Sequence, residues 1–258
     1  MSLTNSIKVK RIYNELCEYL DDDVVREFPL TLFVNSEETD TLLCSPEDMD
    51  VLVLGHLKSE GLIKDSSDIK SLIIDSEKGL ADIETVHSID RIFKRRYITS
   101  GCASSAMFYD VMDAVTLRYK KTKSVRVDGA LIPKNLMTFY EKSTVFKQTG
   151  GVHMAALFSG SKLICFYEDI GRHNAVDKVI GHILKNNIDA HEMMLFISGR
   201  ISSEMVLKCI KSDVGILVSK SAPMDLAVKF ARNYNMVLVG FARGNRFNIY
   251  SGEESFIE

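Results

Sequence analysis

The chain has 258 residues, 46% of them apolar and 26% charged, with a formal net charge of −3 at pH 7. This is an ordinary globular composition, long enough for one large domain or two small ones. The slight acidity argues against nucleic-acid binding driven by bulk charge and leaves room for a local basic pocket. No apolar run approaches a membrane span, and MSLTNSIKVKRIYNELCEYL lacks the apolar core of a signal peptide, so a cytoplasmic protein is expected.

In chain order, apolar spacing predicts a helix around residues 12–20, with Cys17 on its apolar face. Strands are expected at 28–34 and 41–44, on either side of the polar turn 35–40. Ser45 is expected to cap a helix with Pro46 in its first position, running to about Glu60 and stopping at Gly61. Residues 70–74 and 80–86 read as a hairpin around Ser76-Glu77-Lys78-Gly79. The charged stretch 91–97 leads into Thr99-Ser100-Gly101-Cys102-Ala103-Ser104-Ser105, and a helical pattern follows from about 106 to 119.

The second half is more regular. A helix at about 133–146 ends in the turn Thr149-Gly150-Gly151, and strands at 152–158 and 162–167 flank Ser159-Gly160-Ser161. Helices at about 174–186, 202–212 and 223–233 then alternate with strands at 194–197, 215–218 and 236–241. This order implies a mixed sheet flanked by helices, with right-handed crossovers between its parallel strands. Four turns follow its apolar runs: Ile170-Gly171-Arg172-His173-Asn174, Ser198-Gly199-Arg200-Ile201-Ser202, Ser219-Lys220-Ser221-Ala222-Pro223 and Phe241-Ala242-Arg243-Gly244-Asn245-Arg246. Each sets a small or flexible residue beside a cation. In a mainly parallel sheet such turns gather at one edge, where they make a pocket for an anionic, phosphate-bearing ligand.

The five cysteines form no CxxC pair and no close Cys/His cluster, which argues against a disulfide framework or a structural zinc site. Cys17, Cys44, Cys165 and Cys209 fall in apolar patterns and read as small hydrophobes. Cys102 sits in a small, polar segment, on a loop or at a helix start. There it is either a thiolate favoured by the helix N-terminus and by Arg95 and Arg96, or a loop cysteine without a role. Ser105, three residues on, leaves no second thiol for a local redox pair.

His56, His87, His182 and His191 need no special role. His153 opens a strand just after a Gly-Gly turn, and His173 lies in the first cationic turn beside Glu168 and Asp169. His173 is a general base or a loop tie, and with no nucleophile paired to it the structural reading is the stronger. Glu168 and Asp169, adjacent on a strand, should point to opposite faces. Ser202-Ser203 reads as a helix cap. Neither GxxxxGK[ST] nor GxGxxG occurs, which removes the P-loop and dinucleotide fingerprints.

Several runs together resemble the FdhD family of formate dehydrogenase accessory proteins. They are Leu54-Gly55-His56-Leu57-Lys58-Ser59-Glu60-Gly61, the stretch GVHMAALF from Gly151, EDIGRHNAVDKVIG from Glu168, SGRISSEMV from Ser198, SKSAP from Ser219 and VGFARG from Val239. The resemblance implies an α/β fold with a cytidine-deaminase-like, three-layer mixed sheet in residues 126–258 and a smaller α+β part in residues 1–125 ending in the cysteine loop. The deaminase zinc signature HxE…PCxxC is absent, so no deamination and no resident metal are expected.

By resemblance the protein is a sulfurtransferase-like sulfur carrier. It takes persulfide sulfur from a cysteine desulfurase and passes it to the molybdenum or tungsten bis(pyranopterin guanine dinucleotide) cofactor, Mo-bis(molybdopterin guanine dinucleotide), used by formate dehydrogenase. The resemblance places the persulfide on Cys102 and cofactor binding on Phe241, Ala242, Arg243, Gly244, Asn245 and Arg246. The cationic turns add Arg172, His173, Arg200 and Lys220. A homodimer is expected, with no nucleic acid and no membrane. Many members carry CxxC where this chain has Cys102-Ala103-Ser104-Ser105, and a single thiolate suffices to hold a persulfide. The alternative is a cofactor-binding chaperone of formate dehydrogenase that moves no sulfur.

Overall fold

A computed structural model of the chain describes residues 2–14, 16–87 and 123–257. Its first element corrects the sequence expectation. Residues 12–20 are not helical but belong to an antiparallel ribbon of β1 (Thr4–Tyr13) and β2 (Leu16–Val25). The spacing of Ile12, Leu16 and Leu20 imitates a helix. Cross-strand pairing explains the ribbon better, because it opposes Lys8 to Asp21 and Arg11 to Glu18 and turns at Asn14, whose φ is 44°. Cys17 is therefore exposed on a strand.

Strands β3 (Phe28–Val34), β4 (Glu37–Cys44), β5 (Ile69–Asp75) and β6 (Leu80–Thr85) make a four-stranded sheet in the order β4-β3-β6-β5. Helix α1 (Met49–Glu60) buries Leu52, Val53 and Leu57 against it and ends, as expected, at Gly61. It begins three residues later than Pro46, because Asp48 takes a left-handed conformation (φ 54°). Ser45 does not cap it. Its hydroxyl instead accepts a hydrogen bond from Ile170 N at 3.2 Å.

After the short strand β7 (Val127–Asp128), the expected single helix at 133–146 is two, α2 (Leu131–Lys142) and α3 (Val145–Thr149). Glu168 makes the break. Its carboxylate accepts from Ser143 Oγ (2.9 Å), Val145 N (3.0 Å), Phe146 N (2.9 Å) and Thr144 N (3.2 Å), drawing the α3 N-terminus onto one negative charge.

Strands β8 (His153–Ser159) and β9 (Lys162–Asp169) turn at Gly160, and α4 (Arg172–Lys185), β10 (Met194–Ile197), α5 (Ser203–Lys211), β11 (Ile216–Ser219), α6 (Asp225–Asn233) and β12 (Val237–Arg243) follow. Strands β13 (Arg246–Ser251) and β14 (Phe256–Ile257), which the sequence pattern did not announce, complete the chain; β13 extends the main sheet and β14 pairs with β7. The main sheet runs β13-β12-β11-β10-β8-β9.

Its central strands β10 and β11 are apolar at every position but Ser219, because helices cover both faces. Leu195, Ile197, Leu217 and Leu238 pack under α4, α5 and α6, while Met194, Phe196, Ile216 and Val239 pack against Ile132, Leu136 and Phe139 of α2. The result is three layers, helix–sheet–helix. The two parts of the chain meet where α1 crosses α4 at Gly55 and Gly181. A Cβ on Gly55 would lie 1.7 Å from Asp177 O, and one on Gly181 1.8 Å from Val51 O, so the backbones themselves are in contact. No described helix is long and apolar enough to cross a membrane.

Candidate functional site

Strand direction decides where the four cationic turns emerge. Strands β10, β11 and β12 are mutually parallel, and β8 is antiparallel to both β10 and β9. Strands β9, β10, β11 and β12 therefore all run the same way, and their turns leave at one edge, as expected. Strand β8 runs oppositely between β9 and β10, so its first residue, His153, arrives at that same edge.

A cavity of about 350 Å³ opens there, lined among others by Tyr140, His153, Ser198, Lys220, Ser221 and Arg243, with the Gly150-Gly151 turn at its side. Serines join the turns around it. Ser219 Oγ donates to Gly199 O (2.6 Å), Ser221 Oγ donates to Ser198 O (3.0 Å), and Phe241 N donates to Ser221 O (3.1 Å). Ser198 Oγ accepts from Met154 N (2.9 Å) and lies 3.3 Å from His153 Nδ1. Backbone and hydroxyl groups thus hold the walls before any ligand arrives, which is the preorganisation a binding site needs.

Two predicted cations reach the cavity. Lys220 Nζ lies 4.9 Å from the centre of the Tyr140 ring, and Arg243 donates from Nε to Lys220 O at 3.4 Å with its guanidinium 5.6 Å from the Phe241 ring. Phe241 itself has φ 51°, a conformation that strains a bulky side chain, at a bulge in the β12–β13 pairing. Ala242 is buried, and Gly244 and Asn245 form the tip of the β12–β13 turn. Arg172, Arg200 and Arg246 are exposed and do not line the cavity. The backbone of Gly199 lies against the Arg172 side chain.

His173 turns away from the cavity, with Nε2 3.4 Å from Glu204 Oε2. Burial, reinforced by Lys208, holds its pKa below the ordinary histidine value, with Glu204 opposing. The contact ties the first turns of α4 and α5 together, and His173, expected among the cofactor-binding residues, does not line this cavity. Cys102 and the expected helix at 106–119 lie outside the described residues.

Glu168 and Asp169 do point to opposite faces, and both serve the scaffold. Asp169 is fully buried: Oδ2 accepts from Lys178 Nζ (2.8 Å) and Ser45 N (3.1 Å), and Oδ1 accepts from Gly171 N and Asn174 Nδ2, both at 2.9 Å. One turn of helix further, Asp177 accepts from Ser59 Oγ (2.6 Å) and Lys208 Nζ (2.6 Å), tying α4 to α1 and α5. Most of the run EDIGRHNAVDKVIG therefore fixes a turn and a helix crossing. Ser202 stands at the N-cap position of α5, but its hydroxyl makes no capping bond.

Three of the described cysteines are poor candidates for sulfur chemistry. Burial pushes the thiols of Cys44, Cys165 and Cys209 up to about 12, so the nucleophilic thiolate is scarce at neutral pH. Cys17 alone among the described cysteines is exposed. No group of three or more His, Cys, Asp or Glu side chains among the described residues is arranged to hold a metal ion.

Tyr140 lies in an amphipathic helix, where no local pattern separates it from a core aromatic. For His153 the available signal in sequence is the Gly-Gly turn before its strand.

Among known proteins, the "Sulfur carrier protein FdhD" of Bacillus pumilus (strain SAFR-032) is 40% identical over 260 residues, covering 98% of this chain and 99% of that one. The protein of the same name from Staphylococcus haemolyticus (strain JCSC1435) is 44% identical over 237 residues, covering 90% of this chain and 89% of its own. The crystal structure of a putative formate dehydrogenase accessory protein from Desulfotalea psychrophila superposes with a TM-score of 0.82 at 23% identity, over 99% of this chain and all of that one, which shows the same fold. The family model described as the FdhD/NarQ family matches residues 25–257, and the chain belongs to that family.

Proposed function

We propose that the protein is a sulfur carrier serving formate dehydrogenase, with Cys102 as the carrier and the cationic cavity as the seat of the guanine dinucleotide cofactor it acts on. The observation that carries the cavity assignment is the convergence of Lys220 and Arg243 on one preorganised pocket at the strand ends. The carrier role is supported by full-length relatives that bear that name. In the loading step, the Cys102 thiolate attacks the outer sulfur of a desulfurase persulfide. The new S–S bond forms as the old one breaks, and the desulfurase leaves as a thiolate. The remaining cysteines support this choice, since three are buried with raised pKa values and Cys17 lies on the ribbon.

Lys220 and Arg243 hold phosphate oxygens by charge-assisted hydrogen bonds, and Arg172, Arg200 and Arg246 add positive potential at the rim. Of the segment Phe241–Arg246, Arg243 lines the cavity, and the rest supports its position at the β12–β13 turn. The three-layer order of residues 126–258 supports a cytidine-deaminase-like fold there, with residues 1–125 as the smaller α+β part. The chemistry is sulfur transfer in the cytoplasm by a homodimer, rather than deamination.

Calorimetry with GDP tests the pocket. Lys220→Ala and Arg243→Ala should each weaken binding at least about tenfold, roughly 1.4 kcal/mol; unchanged affinity in both removes the assignment. Complementation of a formate dehydrogenase maturation defect tests the carrier. Activity retained by Cys102→Ala would favour the chaperone that moves no sulfur.

A further inference from the structure

The ribbon of β1 and β2 is fastened to the rest of the molecule only near its base. Each strand has ten residues, so the ribbon reaches about 30 Å. At the base, Gln148 Nε2 donates to Asp23 Oδ2 at 2.7 Å, and the Val25 side chain lies against Gly151, a residue of the cavity lining. Strand β1 pairs with β2 and with no other strand among the described residues. Alternate residues of β1 therefore direct N–H and C=O groups outward along a free edge. A two-stranded ribbon is marginal in water, and a third strand is one of the additions that stabilise it.

Register decides what the free edge presents, because directly opposed residues share a face. One face carries Ile7, Val9 and Tyr13 with Leu20 and Leu16, and Ile7, Tyr13 and Leu16 are 48%, 71% and 73% exposed. The other face carries Lys8 and Lys10. Charge is sorted by strand. Strand β1 holds Lys8, Lys10 and Arg11 and no acid, while β2 holds Glu18, Asp21, Asp22 and Asp23 and no cation. Arg11 has Glu18 Oε1 at 3.7 Å, whereas Lys8 and Lys10 make no ion pair among the described residues.

This sorting limits what can pair with the ribbon. Two β1 edges from two copies would set cation against cation, and two β2 edges acid against acid. A β1 edge on a β2 edge leaves one of each open, an arrangement that grows without closing. Copies of this chain are therefore poor third strands, and an acidic strand is a good one.

We propose that the free edge of β1 is a docking edge that takes, as a third strand, an extended acidic segment of another protein. The residues of that segment alternate, with acids opposite Lys8 and Lys10 on one face and apolar side chains beside Ile7 and Val9 on the other. Main-chain hydrogen bonds supply the affinity, and the two cations select the sequence. Because the ribbon is rooted at the cavity lining, a partner held on it stands beside the cavity. The edge uses neither Cys102 nor a cavity residue, so it stands or falls apart from the sulfur-carrier reading.

Fluorescence anisotropy on the full chain tests this with two labelled peptides, one alternating Glu and Val, the other Lys and Val. The wild type should bind the Glu–Val peptide at least about tenfold more tightly than the Lys–Val peptide. Lys8→Glu with Lys10→Glu should reverse that preference. Lys8→Gln with Lys10→Gln, which sets no new acid opposite Asp21, should bring the two affinities together. Hydrogen exchange read by mass spectrometry should show new protection in β1 when the Glu–Val peptide is bound. No binding of the Glu–Val peptide, equal binding of both peptides by the wild type, or protection at β4 or β5 in place of β1 would overturn the proposal. So would a dimer in sedimentation that Ile7→Ser with Tyr13→Ser converts to a monomer, since the ribbon would then belong to a second copy.

Discussion

Replacing Lys178 with methionine should unfold the protein more readily than any comparable surface change. Lys178 and Asp169 are both fully buried and 2.8 Å apart, beneath the turn that begins the first cationic loop. Methionine keeps the volume and removes the cation, stranding a carboxylate in a dry interior. Breaking one partner of such a pair typically costs about 3–5 kcal/mol. Here Asp169 keeps neutral donors in Ser45 N, Gly171 N and Asn174 Nδ2, which soften the loss, while Glu168 O loses the donor it had in Lys178 at 3.2 Å. The expected cost is therefore at the lower end, about 3 kcal/mol, which lowers the midpoint of a urea titration by about 1–2 M. Asp169→Asn added to Lys178→Met should recover at least half of that loss, because it removes the stranded charge. A Lys178→Met protein within about 1 kcal/mol of the wild type, or a double variant destabilised by the sum of the two single changes, would refute the reasoning.

Gly181→Ala should cost about 3 kcal/mol, since its Cβ would fall 1.8 Å from the Val51 carbonyl oxygen and the α1–α4 crossing cannot open locally. Gly160→Ala, with φ 56° and no atom within 4 Å of its Cβ, should cost only about 1 kcal/mol by the same melts; equal losses would contradict the packing argument. Stability should also fall as pH drops from about 6.5 toward 5. Burial lowers the pKa values of His56, His153, His173 and His182 in the fold, so the unfolded chain takes up protons first and the native state loses ground below the ordinary histidine value. His56→Gln should show a shallower decline in urea midpoint over that range than the wild type. A decline as steep as the wild type's would remove His56 from the explanation.

The main sheet was legible because each parallel strand is an unbroken apolar run between Gly and Ser turns, and because the intervening helices keep a 3.6-residue period. Alternation of strand and helix then fixed the common edge of the four turns, and with it the general place of the cavity. The ribbon β1–β2 was not legible, since its apolar residues fall at spacings that a helix shares and only cross-strand charge pairing distinguishes it. Side-chain direction was the other gap. Arg172, Arg200, Lys220 and Arg243 look alike in sequence, but Lys220 and Arg243 reach the cavity while Arg172 and Arg200 do not line it. Long-range partners decided the remainder. The jobs of Ser45 and Glu168 depend on residues between 22 and 125 positions away, beyond any local window, and Asp169 adds the distant Ser45 N to its nearby partners Gly171, Asn174 and Lys178.

Intact-mass analysis after incubation with a cysteine desulfurase and cysteine decides whether one cysteine carries the sulfur. The wild type and Cys17→Ala should each gain the mass of one sulfur atom, removable by a thiol reductant, and Cys102→Ala should gain none. A gain that persists in Cys102→Ala and disappears in Cys17→Ala would move the carrier to the ribbon. No gain in the wild type, with a CxxC relative loading in parallel, would leave the protein as a binder of the cofactor rather than a carrier of sulfur.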